Sequence, residues 1–214
     1  KMINFLFNLY GFKGFILKFI EVGLCNILSF FENFLSLSRS YSLPNIAKKY
    51  DIPIYYFNSL ENLDLIKLLQ SINPDLIISS QGHYINKQIL KIPKYGVINK
   101  HAGLLPEYRG AYPVFWAMLN DEKKIGVSIH FVNDKIDGGD IIIQKEILIS
   151  ESDTFETLYS KVIKITPGLF VKAIELIKNN KMTTIKNEEE DSTYFSFPKK
   201  EDILFFKKKG LKII

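Results

Sequence analysis

The sequence predicts an α/β fold in which a mostly parallel sheet carries helices on its faces and ends in an antiparallel hairpin. Short apolar runs alternate with helical stretches over most of the chain, which is typical of this class. Two of these runs, residues 53–57 and 75–79, enclose one amphipathic segment, and a strand-helix-strand unit is a parallel crossover. Two later runs are separated only by a short loop with two adjacent glycines, which predicts a hairpin on the same sheet.

The N-terminal region predicts one amphipathic helix. Its charged residues, Lys13, Lys18, Glu21 and Glu32, leave no uncharged run near the ~18 residues that would suggest a membrane crossing, so we expect no transmembrane segment. We expect core packing to cover the apolar face; the alternative is a helix lying in a membrane interface. The residues that recur at helical spacing are Phe12, Phe15, Ile16, Phe19, Ile20 and Gly23.

The remaining elements follow in order along the chain. We expect strands at 53–57, 75–79 and 95–99, and a helix after Ser59, its N-cap candidate, with Leu60, Leu63, Ile66 and Leu69 on one face. Residues 125–132 and 140–148 form the predicted hairpin. A long helix is capped by Asp153 or Thr154, and Pro167 with Gly168 kinks or breaks it. Residues 186–192 are predicted to be an exposed charged linker.

Composition limits the function classes. The chain has 214 residues, 47% of them hydrophobic, which suffices for one globular domain. The net charge is +5, but only two of the 28 basic residues are arginine, the side chain that phosphate-binding surfaces favour, so a stable nucleic-acid partner is not indicated. Cys25 is the single cysteine and can form no internal disulfide. This fits a reducing compartment, and we expect a cytoplasmic protein.

Scarce residue types gather in residues 96–119, which contain His101, Arg109 and Trp116. Asn99 and His101 follow a predicted strand, and their spacing points both side chains the same way, toward the edge where open α/β sheets bind ligands. Asp137 lies in the hairpin loop. An amide, an imidazole and a carboxylate form a workable set for acyl transfer, because they can stabilise an oxyanion and move a proton.

At these residues the sequence resembles the folate-dependent formyltransferases. The segments "INKHAGLLPEYRG", "PVFWAMLN", "GVSIH" and "DGG" occur in the family's order and at similar intervals. The resemblance is strong from about 75 to 150, continues more weakly to the tail, and is tenuous before residue 50. It implies a Rossmann-like formyltransferase fold, with a catalytic domain over 1–182 that is N-terminally incomplete and a short tail over 183–214.

The resemblance also implies the site. Asn99, His101 and Asp137 match the family's catalytic trio, in which the amide and the charged imidazole stabilise an oxyanion while the carboxylate relays the proton of the acceptor amine. The formyl donor is 10-formyltetrahydrofolate, and no metal is implied. The pterin pocket corresponds to Gln81, Gly82, His83, Tyr84, Ile85, Asn133, Asp134 and Ile136. Arg109, Gly110 and Tyr112 are the candidates to contact the acceptor.

Two departures from the family pattern stand out. Gly103 occupies a position where many relatives have serine, which affects how the loop meets the acceptor. Relatives begin with a strand, a helix and a second strand, whereas this chain opens with Lys1 and a long apolar helix. We therefore expect upstream residues to be missing from this chain.

The resemblance favours a small amine as acceptor, on a nucleotide-linked amino sugar. Methionyl-tRNA and glycinamide ribonucleotide remain alternatives, although the residues after the long helix are too few for the barrel domain of the tRNA enzymes. A formyl-folate hydrolase or a folate-binding protein without catalysis is an alternative of another class. A homodimer is compatible with the sequence.

Other interpretations compete for individual residues. Asp137 before two glycines is also an ordinary turn residue. His130 is interpreted mainly as a structural strand histidine that could shape the site, and Trp116 as a core residue with Val114 and Met118. Zinc ligation by His101, His130 and Asp137 is disfavoured because no cysteine cluster accompanies them.

Overall fold

The computed structural model describes residues 2–35, 42–80 and 84–214. Contacts within the chain divide it into residues 1–58 and 59–214, whereas the sequence predicted a boundary after residue 182. The first unit contains α1 (Met2–Leu35) and α2 (Leu43–Lys49). The described part of the second unit contains two sheets and five helices.

The first unit is helical. Gly11 interrupts α1 with a non-helical backbone, φ 67° and ψ 177°. The Ser42 side chain caps α2 by accepting the Asn45 N–H, and the Asn45 amide donates to the Ser29 carbonyl in α1 at 3.1 Å. The predicted helix is confirmed. The prediction that core packing covers its apolar face is wrong, because Phe12 and Phe19 are 66% and 75% exposed. Among the described helices, none has the length and apolar character needed to cross a membrane.

The strand predicted at 53–57 is wrong. These residues belong to no helix or strand, and Tyr56 is 80% exposed. A strand is stable only when neighbours satisfy its backbone groups, and no described strand pairs with this one. Pro53, which lacks an N–H, also removes one ladder donor.

The second unit contains the predicted alternation of strands and helices. The first helix begins three residues later than predicted: its N-cap is Asn62, whose side chain accepts the N–H groups of Asp64 and Leu65. Ser59 instead accepts the Glu61 N–H in the preceding turn. The elements are α3 (Leu63–Ile72), β1 (Ile77–Ser79), α4 (Lys87–Leu90), β2 (Val97–His101), β3 (Arg109–Gly110), α5 (Pro113–Leu119), β4 (Lys124–Phe131), β5 (Ile141–Leu148), α6 (Phe155–Lys178), β6 (Tyr194–Phe195) and α7 (Lys200–Lys208).

The main sheet has the strand order β1-β2-β4-β5. β1 and β2 are parallel, whereas β2 with β4 and β4 with β5 are antiparallel. The α/β class and the terminal antiparallel hairpin are therefore confirmed, and the parallel part of this described sheet is the β1–β2 pair. A second, small sheet pairs β3 with β6 in parallel.

Helices cover the sheet. Val97 packs with Ile66, Ile85 and Ile89 in a cluster to which α3 and α4 contribute. Around α5 and α7, the fully buried rings of Phe115 and Phe206 stack with centroids 4.6 Å apart. Thr154 caps α6 in a capping box with Thr157. It is one of the two caps that the sequence predicted, the other being Asp153.

The Pro167–Gly168 pair does not break α6. The helix runs through both residues to Lys178. Both are exposed, so the carbonyl that loses its partner at a proline can be solvated on the outer side of the helix.

The C-terminal segment is integrated into the second unit. The N–H groups of Phe155 and Glu156 donate to the carbonyls of Lys212 and Ile213. Residues 188–190 are exposed, as predicted for a charged linker. Asn187 contradicts that prediction because it is only 8% exposed; its side chain binds other loops and is described with the site.

Candidate active site

Two neighbouring strands place the candidate catalytic side chains on one face of the sheet. Every second side chain of β2 projects to the same face, and on one face these are Val97, Asn99 and His101. On β4, His130 lies directly opposite Asn99, and Ser128 lies opposite His101. Side chains at directly opposite positions project to the same face. The site therefore begins where β2 ends and includes both histidines.

His101 is buried between two acceptors. Its side chain is 6% exposed, and its Nδ1 lies 3.4 Å from Oδ2 of Asp137. Its Nε2 lies 2.7 Å from the carbonyl oxygen of Tyr108. A neutral ring can donate to only one of these oxygens, whereas a protonated ring can donate to both. The close contact to Tyr108 identifies Nε2 as the donor in the neutral ring.

Asp137 lies between the two histidines. It adopts the left-handed conformation, φ 46°, and its Oδ2 accepts the Gly110 N–H at 2.9 Å. Its Oδ1 lies 3.7 Å from Nε2 of His130. Asp137 is thus more than the turn residue that its glycine neighbours suggest. The predicted proximity of His101 and Asp137 is found in the structure, and His130 joins them.

Burial determines the ionisation of both histidines. It lowers the pKa of His101, against the Asp137 carboxylate and the Tyr108 carbonyl, which raise it. Burial also lowers the pKa of His130 to about 4, with Asp137 again opposing. Both rings are therefore neutral at pH 7, and the site contains an anion with two neutral imidazoles beside it.

Three buried side-chain atoms have no hydrogen-bond partner in the described part of the chain: Nε of Arg109 and, on the strands, Oδ1 of Asn99 and Nε2 of His130. Buried polar atoms are nearly always paired, so orphaned ones mark a place where a ligand or water can bind. Both strand atoms lie on the face that carries His101. The amide oxygen of Asn99 can therefore accept a hydrogen bond from a bound molecule.

The loop after His101 is fixed by side chains that the sequence analysis missed. The Ser128 hydroxyl donates to the Gly103 carbonyl at 2.6 Å and accepts the Leu105 N–H. Gln144 on β5 donates to the same hydroxyl and to the Leu105 carbonyl. The alternation of Ser128 with His130 along one strand could have shown that Ser128 lies on the face of the site. Nothing in the sequence indicates that the Tyr108 carbonyl contacts His101.

Gly103 has a steric role here. A Cβ at this position would lie 2.9 Å from Nε2 of His101 and 3.1 Å from Cβ of Pro113. Contacts this short require the His101 ring to shift. The glycine at a position where serine was expected therefore fits the placement of His101 against Tyr108.

The three predicted acceptor contacts have different surroundings. Arg109 is 5% exposed, and its guanidinium binds Asn187, so its charge is directed inward. Gly110 has φ 96°, and a Cβ there would lie 2.2 Å from the Phe195 carbonyl, so only glycine allows β3 to approach β6. Tyr112 contacts the rings of Phe155 and Phe197 and is partly buried.

The predicted donor pocket is described in part. Gln81, Gly82 and His83 lie outside the described residues. Tyr84 and Ile136 are 63% and 59% exposed, and Ile85 is buried in the cluster with Val97. Asn133 accepts the Lys135 N–H in a tight turn. The amine of Lys87, the first residue of α4, lies 3.3 Å from Asp134 and so links the start of that helix with the second predicted pocket loop.

Among the described residues, no three His, Cys, Asp or Glu side chains are arranged to hold a metal ion. The contacts of His101 to a carbonyl and to a carboxylate account for both of its ring nitrogens.

The fold and this cluster define the class of the protein. Residues 39–174 match the family model described as formyl transferase, and the chain belongs to that family. It is 37% identical over 153 residues to a methionyl-tRNA formyltransferase of Fusobacterium nucleatum, covering 71% of this chain and 49% of that protein. The chain spans about half the length of the first curated relatives that it matches.

Two solved structures are matched over a larger share of their length. One is the formyltransferase PseJ from Anoxybacillus kamchatkensis, in complex with UDP-4,6-dideoxy-4-formamido-L-AltNAc and tetrahydrofolate. It has a TM-score of 0.61 and 28% identity, with 79% of this chain and 87% of that chain covered. A 4-N formyltransferase from Francisella tularensis has a TM-score of 0.59 and 31% identity, with 80% and 72% covered.

The low pKa of His130 predicts how stability depends on pH. In the unfolded chain the His130 imidazole has a pKa near the ordinary 6.5, whereas in the folded chain its pKa is about 4. The unfolded state therefore binds more protons between these values, so stability is complete above about pH 6.5 and falls as the pH drops toward 4. We expect a loss of up to about 3 kcal/mol from this group.

Chemical denaturation at pH 7 and pH 4.5 measures this loss, with His130→Gln as the comparison. The variant lacks the titrating ring, so its free energy of unfolding should change less between the two pH values. An equal change in both proteins would show that His130 is not the buried neutral group that the structure indicates.

Proposed function

We propose that this protein transfers the formyl group of 10-formyltetrahydrofolate to the primary amine of a nucleotide-linked amino sugar. The observation that carries the proposal is the contact between His101 and Asp137, at the end of the strand that carries Asn99. An acyl transfer needs a donor for the developing oxyanion and a place for the proton of the amine. These three side chains supply both functions.

The residues beside the trio suit a folate. Exposed Tyr84 and Ile136 offer apolar surface to a flat ring. Asn99 offers an unpaired amide oxygen at the buried end, and the Lys87–Asp134 pair joins α4 to the loop that carries Ile136. Apolar walls with a few convergent polar atoms are typical of small-molecule sites. The bound donor supplies an electrophilic formyl carbon.

The reaction begins when the acceptor nitrogen forms a bond to the formyl carbon and the carbonyl electrons move to the formyl oxygen. The amide of Asn99 donates a hydrogen bond to that oxygen; one such donor contributes about 3 kcal/mol to catalysis. Before this step the Asp137–His101 pair has a net charge of −1 because the imidazole is neutral. It can therefore accept the proton that the amine loses, directly or through water.

Proton uptake changes the electrostatics of the site at the moment when the oxyanion forms. The neutral ring faces the Asp137 carboxylate with an unprotonated Nδ1 at 3.4 Å. Protonation converts this contact into an ion pair, and the imidazolium adds positive charge near the oxyanion. An interaction that strengthens only in the transition state raises kcat. The intermediate then collapses, the bond from the formyl carbon to the folate nitrogen breaks, and the pair returns the proton to that nitrogen.

The structural neighbours support a sugar amine as acceptor. The two solved structures above are matched over 87% and 72% of their length. One contains a UDP-linked formamido sugar together with tetrahydrofolate. Methionyl-tRNA is the second candidate, favoured by the 37% identity to the Fusobacterium protein.

An acceptor panel tests the proposal. The full-length protein is incubated with 10-formyltetrahydrofolate and, separately, with UDP- and dTDP-linked 3- and 4-amino sugars, glycinamide ribonucleotide and methionyl-tRNA. We expect tetrahydrofolate release with at least one amino sugar, and a formamide product by mass spectrometry. Turnover with methionyl-tRNA alone would assign the second candidate. Release without any acceptor would indicate a hydrolase.

Variants separate catalysis from binding. His101→Ala and Asp137→Asn should each lower kcat by about 100-fold or more and change the KM for the donor by less than about threefold, because their interactions strengthen in the transition state. Tyr84→Ala should raise the donor KM and retain most of kcat. Asp64→Asn, at an exposed helix position, is the matched control. A near-normal kcat in either of the first two variants would contradict the mechanism.

A further inference from the structure

Asn187 connects the C-terminal segment to the loop that carries Asp137. It lies in a region that the sequence presents as a charged linker, yet it is 8% exposed. We propose that Asn187 is a positioning residue, an inference that rests on the proposed function. It holds the backbone of Asp137, so that the carboxylate stays between Gly110 and His101.

The side chain of Asn187 uses both of its donor hydrogens and its acceptor oxygen. Its Nδ2 donates to the carbonyl oxygens of Asp137 at 2.7 Å and Gly139 at 2.9 Å. Its Oδ1 accepts from Nη2 of Arg109 at 2.7 Å. An amide has one acceptor oxygen and two donor hydrogens. No other side chain of similar size satisfies two carbonyls and a guanidinium at once.

Arg109 completes the connection. Its Nη2 also contacts the backbone carbonyl of Asn187 at 2.9 Å, and its own N–H donates to the Thr193 carbonyl. The next residue, Gly110, donates its N–H to the Asp137 carboxylate. Asp137 is therefore held at its backbone by Asn187 and at its side chain by Gly110, and Arg109 joins the two supports.

Backbone pairing and charge pairs bring the segment to this place. Ile185 and Ile141 exchange both of their backbone hydrogen bonds at the start of β5. Lys186 binds Asp140 at 2.7 Å, and Lys135 binds Glu189. These exposed ion pairs contribute little individually. Together with the Ile185–Ile141 bridge, they set the position from which Asn187 reaches the loop.

The left-handed backbone of Asp137 explains why such a support is needed. A non-glycine residue adopts this conformation at an energetic cost and retains it when surrounding contacts fix it. Without the Asn187 amide, the loop loses the two hydrogen bonds that hold its carbonyls. The Asp137 carboxylate can then leave both the Gly110 N–H and His101.

The Gly110 amide reports the position of the carboxylate independently of turnover. In native-state hydrogen exchange by NMR, this amide is protected by Asp137, whereas its neighbours Arg109 and Ala111 are protected by the carbonyls of Thr193 and Phe195. In Asn187→Ala we expect exchange at Gly110 to become about tenfold faster than in the native protein, with less than about threefold change at the two neighbours.

Kinetics provide the second readout. Asn187→Ala should lower kcat about tenfold or more and raise the donor KM by a smaller factor, because the displaced carboxylate acts in the transition state. Glu190→Ala, at an exposed position on the same segment, should leave both the exchange and kcat unchanged. If Asn187→Ala does not fold, Asn187→Asp is measured instead. It keeps an acceptor for Arg109 but replaces the donor that faces the two carbonyls, so the same selective effect is expected.

Faster exchange at all three amides, or unchanged exchange at Gly110 with normal kcat, would overturn the proposal. The first result would mean that Asn187 only stabilises the fold, and the second that the loop keeps its position without it. If the wild-type protein forms no formamide with any acceptor, the proposed function fails, and exchange at Gly110 still decides whether Asn187 positions Asp137.

Discussion

The site depends on a carboxylate that is held nearly out of solvent beside two neutral imidazoles. Asp137 is 15% exposed at its side chain, and a charge at this depth requires hydrogen bonds that replace water. The Gly110 N–H supplies one, and the nitrogen atoms of His101 and His130 lie within 3.7 Å. A proton added to this cluster turns an unfavourable contact into an ion pair. In the proposed mechanism, this cluster accepts the proton that the acceptor amine loses.

The surrounding fold can be understood as the means of placing that carboxylate. The antiparallel pairing of β2 with β4 brings Asn99 and His130 together, and the hairpin from β4 to β5 returns the chain through Asp137. Ser128 and Gln144 hold the loop that follows His101. The pairing of β3 with β6 positions the Gly110 N–H. Four separate segments therefore converge on one side chain, and the C-terminal segment is one of them.

Sequence reasoning succeeded where local pattern and chemistry coincide. Strand alternation placed Asn99 and His101 on one face, the glycines marked the hairpin loop, and Thr154 was a recognisable cap. It failed where a partner distant in sequence decides. Residues 53–57 have strand composition but no described strand to pair with. Asn187 looked like a linker residue because its partners, Arg109 and the Asp137 carbonyl, lie 78 and 50 positions away in sequence.

The most direct test of the account is a crystal structure of the full-length protein with 5-formyltetrahydrofolate, a stable analogue of the donor. We expect the formyl end to lie within hydrogen-bonding reach of Asn99 and beside the His101–Asp137 pair, with the ring against Tyr84 and Ile136. Folate bound elsewhere on the protein, or Asp137 turned away from His101 in the complex, would contradict it.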